Sequence, residues 1–288
     1  MSPLLYGFLI FPFSRLPFRI LYLLSDGLFV LVFYVAKYRR RVVEGNITRS
    51  FPELSPDARK EIVREFYRHF CDIVVESLKS FSISDEEIRK RFRFENPELL
   101  TPYFESGRSL ILAGGHYNSW EWLAVGLGQQ MRHRAVAIYK PLSSSYFEKK
   151  MRATRGKFGL ELLPMKNVPD FFKALPQSKV PVAMIFGCDQ SPGDGRKAHW
   201  MTFLNQDTAV AYGAEKYARE YDLPVFFGVV HKTSRGHYSF RIEPLTDHPR
   251  ESGKGEIIEG VTRRLEVEIR KDPRYWLWTH RRWKHTRP

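Results

Sequence analysis

A histidine and a carboxylate five residues apart are the residues of this chain best suited to acid–base chemistry. They are His116 and Glu121, within residues 114–121 (GGHYNSWE). A carboxylate that holds one imidazole nitrogen fixes the tautomer and raises the basicity of the ring, so that the other nitrogen can take a proton from a hydroxyl. The attacking group would then be an alcohol of the substrate. The spacing alone also fits a histidine that ends a strand and a solvated helical glutamate.

The flanking sequence predicts the elements that place these two side chains. An apolar run, Ser109–Ala113, precedes the two glycines, and a helix-like segment follows them. This order is typical of a strand, a tight turn and a helix. His116 would lie at the carboxyl end of the strand, where open α/β sheets carry their sites. Ser119 would cap the helix, with Glu121 in its first turn.

The rest of the chain alternates short apolar runs with amphipathic ones, which predicts one α/β domain, residues 42–288, with a mostly parallel sheet flanked by helices. The predicted strands are Ser109–Ala113, Arg134–Lys140, Leu160–Leu163, Val180–Phe186, Pro224–His231 and Tyr238–Pro244. The predicted helices are Ser55–Phe81, Ser84–Arg91, Ser119–Gln130, Ser145–Phe158, Val168–Leu175, Ala209–Tyr221 and Gly255–Arg270. We find no repeat and no linker that would divide this domain.

The amino-terminal segment predicts a membrane contact. Its longest apolar stretch, Ile20–Ala36, is interrupted by Ser, Asp and Gly and is short for a spanning helix. The basic cluster of residues 37–41 (KYRRR) follows, which favours a cytoplasmic location for the next domain and can bind anionic headgroups. We therefore predict that residues 1–41 anchor in, or lie on, a membrane. The alternative is an ordinary amphipathic core helix.

The composition limits the partners and cofactors. The 288 residues include 46 Lys and Arg against 32 Asp and Glu, a formal charge of +14, which favours an anionic partner. We see no nucleic-acid-binding, nucleotide-binding or Walker motif. The two cysteines, Cys71 and Cys188, form no Cys-x-x-Cys pair, so no metal site or disulfide framework is indicated and a reducing compartment fits.

Asp189 and two arginines are further candidates. Asp189 follows the predicted strand Val180–Phe186 and so lies at the carboxyl end of another strand, although its neighbours (DQSPG) are also typical of a turn. Arg152 and Arg155 lie on the predicted helix Ser145–Phe158, where an arginine can bind an anion or simply face solvent. We expect Arg155 to lie on the surface.

Several segments resemble, in the same order, sequence blocks of the lipid A late acyltransferases, the lauroyl and myristoyl transferases of Gram-negative bacteria. Residues 115–121 look like the family's His-x4-Asp/Glu block, and residues 276–284 (WLWTHRRWK) look like its carboxyl-terminal Trp-x-His-Arg-Arg signature. Lys140 stands where the family's Tyr-Arg-Pro step usually has Arg. The other similar segments are residues 46–55, 139–141, 152–159, 189–190, 203–205 and 208–218.

This resemblance implies a glycerolipid-acyltransferase-like fold and a reaction. A fatty acyl group would pass from acyl carrier protein, or less favourably coenzyme A, to a hydroxyl of a lipid A precursor. His116 would be the general base and Glu121 its orienting carboxylate, with backbone amides before the following helix near the oxyanion. No cofactor or metal is implied, and the catalytic domain would lie on the cytoplasmic side of the inner membrane.

The resemblance also implies roles for the other polar candidates. Arg152 would bind a phosphate or aid the oxyanion, Lys140 would bind phosphate, and Asp189 would position the acceptor. Arg281 and Arg282, in a basic tail with His280 and Lys284, would supply charge for lipid phosphates or for the acidic acyl carrier protein, unless one of them folds back onto a carboxylate.

Three alternatives stay open from the sequence. The same chemistry can act on another amphiphile, such as an aminolipid or glycolipid. Water can replace the acceptor, giving a thioester hydrolase, although the chain has no Gly-x-Ser-x-Gly elbow. A non-catalytic membrane-binding protein can also keep the fold.

Overall fold

A computed structural model describes residues 3–287. The predicted segments 1–41 and 42–288 also include Met1, Ser2 and Pro288, which lie outside the described residues. The strands are β1 (Phe92–Phe94), β2 (Leu110–Gly114), β3 (Arg134–Tyr139), β4 (Glu161–Pro164), β5 (Val182–Gly187), β6 (His199–Phe203), β7 (Gln206–Val210), β8 (Val225–Ser234) and β9 (His237–Thr246). The helices are α1 (Pro3–Leu5), α2 (Phe11–Arg15), α3 (Phe18–Val30), α4 (Arg40–Ser50), α5 (Pro56–Lys79), α6 (Asp85–Arg91), α7 (Thr101–Glu105), α8 (Trp120–Gly126), α9 (Ser145–Arg155), α10 (Val168–Ala174), α11 (Gly213–Tyr221) and α12 (Glu256–Lys271).

Seven strands form one sheet in the order β1-β9-β8-β2-β5-β3-β4, and β6 and β7 form a separate hairpin. Every neighbouring pair of the large sheet is parallel except β8 and β9, which are joined antiparallel. This confirms the predicted α/β class and its mostly parallel sheet. Both faces of β2 are buried, as parallel strands require: Ile111 and Ala113 face one apolar cluster, whereas Leu110 and Leu112 face the other.

Most predicted elements are found, with two corrections of extent. The strands β1, β6 and β7 were not predicted. The helix predicted from Ala209 begins at Gly213, because Ala209 pairs with Trp200 in the β6–β7 hairpin. Tertiary pairing therefore overrides the helical preference of alanine. The predicted helix Ser119–Gln130 ends at Gly126 and continues as a 3₁₀ turn.

Helix α3 is the apolar amino-terminal helix. It continues into a π-helical turn, Leu31–Val35, and the stretch Phe18–Val35 is long and apolar enough to cross a membrane, with a mean hydropathy of 1.8. One face of it is buried in the protein: Phe29 and Phe33 belong to the main apolar core. The predicted division of the chain near residue 41 stays a prediction.

Polar contacts fasten α3 to α5 and to the β8–β9 hairpin. Ser25 donates to the buried Asp72 at 2.8 Å, and the Tyr22 hydroxyl donates to Glu76 at 3.0 Å. Arg235, from the hairpin, donates to both Asp26 and Asp72 at 2.7 Å. Asp26 is exposed, but the Asp72 and Glu76 carboxylates are buried, so losing a partner of either would leave a poorly solvated charge.

Glu76 lies at the centre of this polar network and touches the His-x4-Glu segment. It is 1% exposed and accepts hydrogen bonds from Tyr22, from Tyr238 at 3.0 Å and from Ser119 at 3.4 Å. Burial, together with the nearby Asp72 carboxylate, raises the pKa of Glu76 to about 7. The contacts of Glu76 therefore join the amino-terminal helix to the segment that carries His116.

The raised pKa of Glu76 predicts a stability that falls as pH rises. An unfolded glutamate has a pKa of about 4.3, so this group stabilises the fold fully below that pH and loses its contribution as pH rises through about 7. The Gln side chain of Glu76→Gln has no such proton to lose. Between pH 5 and pH 8 the free energy of unfolding should therefore fall less in Glu76→Gln than in the wild type, and the two falls should differ by up to about 3 kcal/mol. Denaturant unfolding at both pH values measures this. The exposed Glu98→Gln is the control and should follow the wild type; an equal pH dependence in Glu76→Gln would contradict the prediction.

Candidate active site

His116 is held by a carboxylate from a neighbouring strand. Its Nδ1 lies 2.7 Å from Oδ1 of Asp189, and its backbone N–H donates to Oδ2 of Asp189 at 2.8 Å. The indole N–H of Trp276 donates to the same Oδ2 at 2.8 Å. Both oxygens of Asp189 are therefore occupied, and the position and orientation of the imidazole ring are fixed.

The register of two parallel strands brings His116 and Asp189 together. Gly114 of β2 pairs with Gly187 of β5, and each of the two functional residues lies two positions further along its own chain. Because both strands end at the same edge of the sheet, residues at equal distance beyond the pair meet there. The sequence placed each residue at a strand end, and the pairing of β2 with β5 makes them neighbours.

Two glycines make room for this contact. A Cβ on Gly115 would lie 3.0 Å from Cγ of Asp189 and 2.6 Å from Leu265, so a side chain there would push the carboxylate away. A Cβ on Gly187 would lie 3.1 Å from Cε1 of the His116 ring. Both positions favour glycine because of close approach rather than backbone conformation.

The electrostatics of the pair fix the proton of the ring. Burial would raise the pKa of Asp189, but the charge and hydrogen bonds of His116, with the Trp276 N–H, lower it to about 2. Burial lowers the pKa of His116, and the Asp189 carboxylate outweighs this effect and raises it overall. Since an ionised carboxylate only accepts, Nδ1 carries the proton and Nε2 of the neutral ring is the basic nitrogen.

The imidazole ring that carries the basic nitrogen is partly exposed. The side chain of His116 is 26% exposed, and its Nε2 lies 3.3 Å from the amide nitrogen of the exposed Gln190. Trp120 packs edge-on against the ring, with 5.6 Å between the ring centroids. A hydroxyl that displaced the Gln190 amide could reach Nε2, so the geometry suits a general base.

Glu121 does not hold the imidazole, which corrects the predicted pairing with His116. Its carboxylate binds Arg155 instead, with Nε of Arg155 at 3.0 Å and Nη2 at 2.5 Å. The Nδ1 side of the ring is already taken by Asp189, and the first turn of α8 directs Glu121 to the end of α9. Glu121 does lie in that first turn, as predicted, and its charge still raises the pKa of His116.

Arg155 is not the solvent-facing arginine that was expected. Its side chain is 23% exposed and its partner Glu121 is 8% exposed, so the pair is largely removed from water. A carboxylate buried to this extent needs a hydrogen-bonded cation. Arg152, one turn earlier on α9, is exposed instead. Helix α9 therefore directs Arg155, and not Arg152, toward the interior of the protein.

Ser119 does not cap α8, which corrects a further prediction. Its side chain makes no capping hydrogen bond and donates to the buried Glu76 instead. The backbone at this point is set by Asn118, whose φ is +58° and whose side chain donates to the carbonyl of Val230 at 2.8 Å. The segment is therefore positioned by contacts to α5 and β8 rather than by a local cap.

The remaining predicted binding residues divide between surface and interior. Lys140, Arg152 and Arg281 are exposed. Arg282 is 2% exposed and donates to the carbonyl of Ala209 at 2.7 Å. Burial, opposed in part by Asp189, lowers its pKa to about 10. Arg282 therefore cannot contact a substrate from an open basic tail, because the tail folds back under Asp189.

The carboxyl-terminal tail supplies a site residue that the sequence reasoning missed. Trp276 is buried, pairs through its backbone with Tyr117, and holds Asp189. Trp276 lies in the tryptophan-rich segment 276–284, and this could have indicated a buried role. The segment was instead interpreted as a basic surface. Asn46 fixes this tail by donating to the carbonyls of Trp278 and His280, at 3.0 and 3.1 Å.

Among residues 3–287, no group of three or more His, Cys, Asp or Glu side chains is arranged to hold a metal ion. Cys71 and Cys188 are both buried and unpaired. The expectation that the chain uses no metal or cofactor stays a prediction.

Comparison with known proteins gives one family and a consistent set of relatives. The family model described as bacterial lipid A biosynthesis acyltransferase matches residues 4–285. The lipid A biosynthesis palmitoleoyltransferase of Escherichia coli (strain K12) is 24% identical over 278 residues, covering 95% of this chain and 88% of that protein. The lipid A biosynthesis lauroyltransferase of the same bacterium is 22% identical over 276 residues, with the same coverage. A lipid A biosynthesis acyltransferase of Haemophilus influenzae is 23% identical over 257 residues, covering 88% and 80%.

The contacts of His116 predict which carboxylate controls its pKa. Asp189→Asn removes a hydrogen-bonded charge, so the pKa of His116 should fall. Glu121→Gln removes only a more distant charge and should lower the same pKa less. NMR titration of the His116 ring protons in the detergent-solubilised protein compares the two variants with the wild type. A larger fall in Glu121→Gln than in Asp189→Asn would contradict this assignment.

Proposed function

This chain belongs to the bacterial lipid A biosynthesis acyltransferase family, and we propose that it transfers a fatty acyl group from an acyl carrier protein thioester to a hydroxyl of a lipid A precursor. The relatives named above are lipid A acyltransferases, which supports secondary acylation of lipid A as the reaction class. The observation that carries the mechanism is the His116–Asp189 pair, with a partly exposed imidazole at the carboxyl edge of the sheet.

His116 acts as the general base in this proposal. Nε2 takes the proton of the acceptor hydroxyl as its oxygen attacks the thioester carbonyl, and Asp189 stabilises the imidazolium that forms. The tetrahedral intermediate then expels the thiolate, which takes the proton back from His116. A thiolate is a good leaving group, so one base serves both steps. The products are an ester and the free thiol of the carrier.

Arg155 is our candidate for stabilising the oxyanion. Glu121 uses two of its N–H groups and leaves the others, including those of Nη1, able to donate. The backbone amides first considered for this task are partly occupied: Asn118 donates to the carbonyl of Tyr275 at 2.9 Å, and Trp120 donates to the carbonyl of Asn118 at 3.2 Å. Glu121 is then a positioning residue that holds Arg155.

Exposed cations suit the two anionic substrates. Lys140 follows β3 and Arg152 lies on α9, and both are exposed, so they can bind the phosphates of a lipid A precursor or the acidic surface of acyl carrier protein. Arg281 is a further exposed cation. A cytoplasmic site at the inner membrane would give access to both substrates. Acyl coenzyme A is the alternative donor.

Membrane fractions that contain wild type, His116→Ala or Asp189→Asn test this proposal when supplied with an acyl carrier protein thioester and a lipid A precursor. We expect acylation of the precursor by the wild type and a loss of about 10²–10⁴-fold in both variants. The exposed His248→Ala is the matched control and should keep the wild-type rate. Thioester consumption without acylated precursor would indicate hydrolysis or another amphiphile as acceptor, and unchanged rates in the variants would contradict the assigned site.

The pairing of Arg155 predicts that it matters more than Arg152. Arg155→Lys cannot make the two-pronged contact with Glu121, so we expect acyl transfer to fall by about 10²-fold or more, chiefly in kcat. The exposed Arg152→Lys, one turn away, should lose less than about 10-fold and mainly in KM. Steady-state kinetics with varied precursor measure both. A larger loss in kcat for Arg152→Lys would restore Arg152 as the functional arginine.

A further inference from the structure

The amino-terminal helix α3 and the π-helical turn that continues it to Val35 have two opposite faces. The face toward α5 buries residues spaced four apart, namely Leu21, Ser25, Phe29 and Phe33. The other face exposes large apolar side chains, which include Leu23 at 70% and Val35 at 70% of their full accessible area. Further exposed side chains on this stretch are Ile20, Leu24, Val30, Leu31 and Tyr34. One face is thus fastened to the protein, and the other has no covering within the described residues.

The segment before α3 extends the same kind of surface. Phe8 is 81% exposed and Leu4 is 69% exposed, and Leu9, Phe11 and Phe13 are exposed as well. Most of the exposed large apolar side chains among residues 3–287 lie between Leu4 and Tyr38. We call the exposed apolar side chains between residues 4 and 35 the apolar face. A soluble monomer rarely exposes so much apolar surface without a partner.

The polar contacts of α3 argue against a spanning orientation. Ser25 and Asp26 lie at the middle of the stretch Phe18–Val35, so they would sit at the centre of a bilayer. Asp72 and Arg235, which bind them, would have to enter the bilayer too, or α3 would have to leave the protein. Leaving would strip Ser25 from Asp72 and would expose core side chains.

The charges at the two ends of α3 argue in the same direction. Arg15 and Arg19 are exposed near its beginning, and Lys37, Arg39 and Arg41 are exposed after its end. A spanning helix usually has its basic residues on one side only. Cations at both ends fit a helix that lies along a surface of anionic headgroups.

We propose that α3 lies flat in the interface of a bilayer that contains anionic lipid, with the apolar face in the membrane and both ends of the helix on the same side. The helix does not cross the membrane, although its length would permit it. The active site would then stand at a fixed height above the lipid. Tyr6, just before α2, stacks edge-on against Tyr146 of α9, the helix that carries Arg155, so the membrane surface borders that side of the site.

Cysteine labelling tests the orientation. One chain carries a cysteine added before Met1, and a second carries Arg281→Cys on the exposed tail; the two buried native cysteines set the background in an unmodified chain. Both chains are treated with a membrane-impermeant maleimide in intact spheroplasts and after lysis. We expect the two cysteines to label under the same condition. If one cysteine is labelled in intact spheroplasts and the other only after lysis, the two lie on opposite sides of the membrane and the proposal is overturned.

Vesicle binding tests the apolar face itself. Leu23→Glu with Val30→Glu places two charges on the apolar face at positions that are 70% and 52% exposed. We expect this variant to keep the thermal unfolding of the wild type and to bind phosphatidylglycerol-containing vesicles at least about 10-fold more weakly. Val267→Glu, on α12 with 63% exposure, is the matched control and should bind normally. Undiminished binding of the double variant would overturn the proposal, and this outcome does not depend on acyl transfer.

Discussion

The hydrogen-bonded pair of His116 and Asp189 is the interaction on which the site depends. It exists because β2 and β5 are parallel neighbours and because Gly115 and Gly187 let the carboxylate and the ring approach. A carboxylate as buried as Asp189 is stable only when its oxygens are satisfied, and the His116 ring and backbone and the Trp276 indole satisfy both. Sheet register, close packing and electrostatics thus converge on one basic nitrogen.

The segment that follows His116 is held from several directions at once. Tyr117 pairs with Trp276 of the tail, Asn118 bonds to β8, Ser119 bonds to Glu76 of α5, and Glu121 binds Arg155 of α9. Each of these partners comes from a different part of the chain. A turn held in this way keeps its donors and acceptors in place during a reaction, which is the preorganisation that catalysis by hydrogen bonds and charge requires.

Buried carboxylates also tie the amino-terminal helix α3 to the segment that carries His116. Asp72 and Glu76 take their donors from α3 on one side and from the β8–β9 hairpin on the other. Removing α3 would therefore leave two carboxylates short of partners, one of which also touches Ser119. These contacts make the amino-terminal helix α3 an integral part of the fold.

The sequence by itself determined the fold class, the strand ends that carry His116 and Asp189, and the family. These follow from local patterns, because periodicity, turn residues and short motifs act over a few positions. Only the tertiary structure decided that Asp189, not Glu121, holds the ring, that Arg155 rather than Arg152 turns inward, and that Arg282 is buried. Those outcomes depend on which strands pair and which buried charges meet, and such long-range choices leave no periodic signal in the chain.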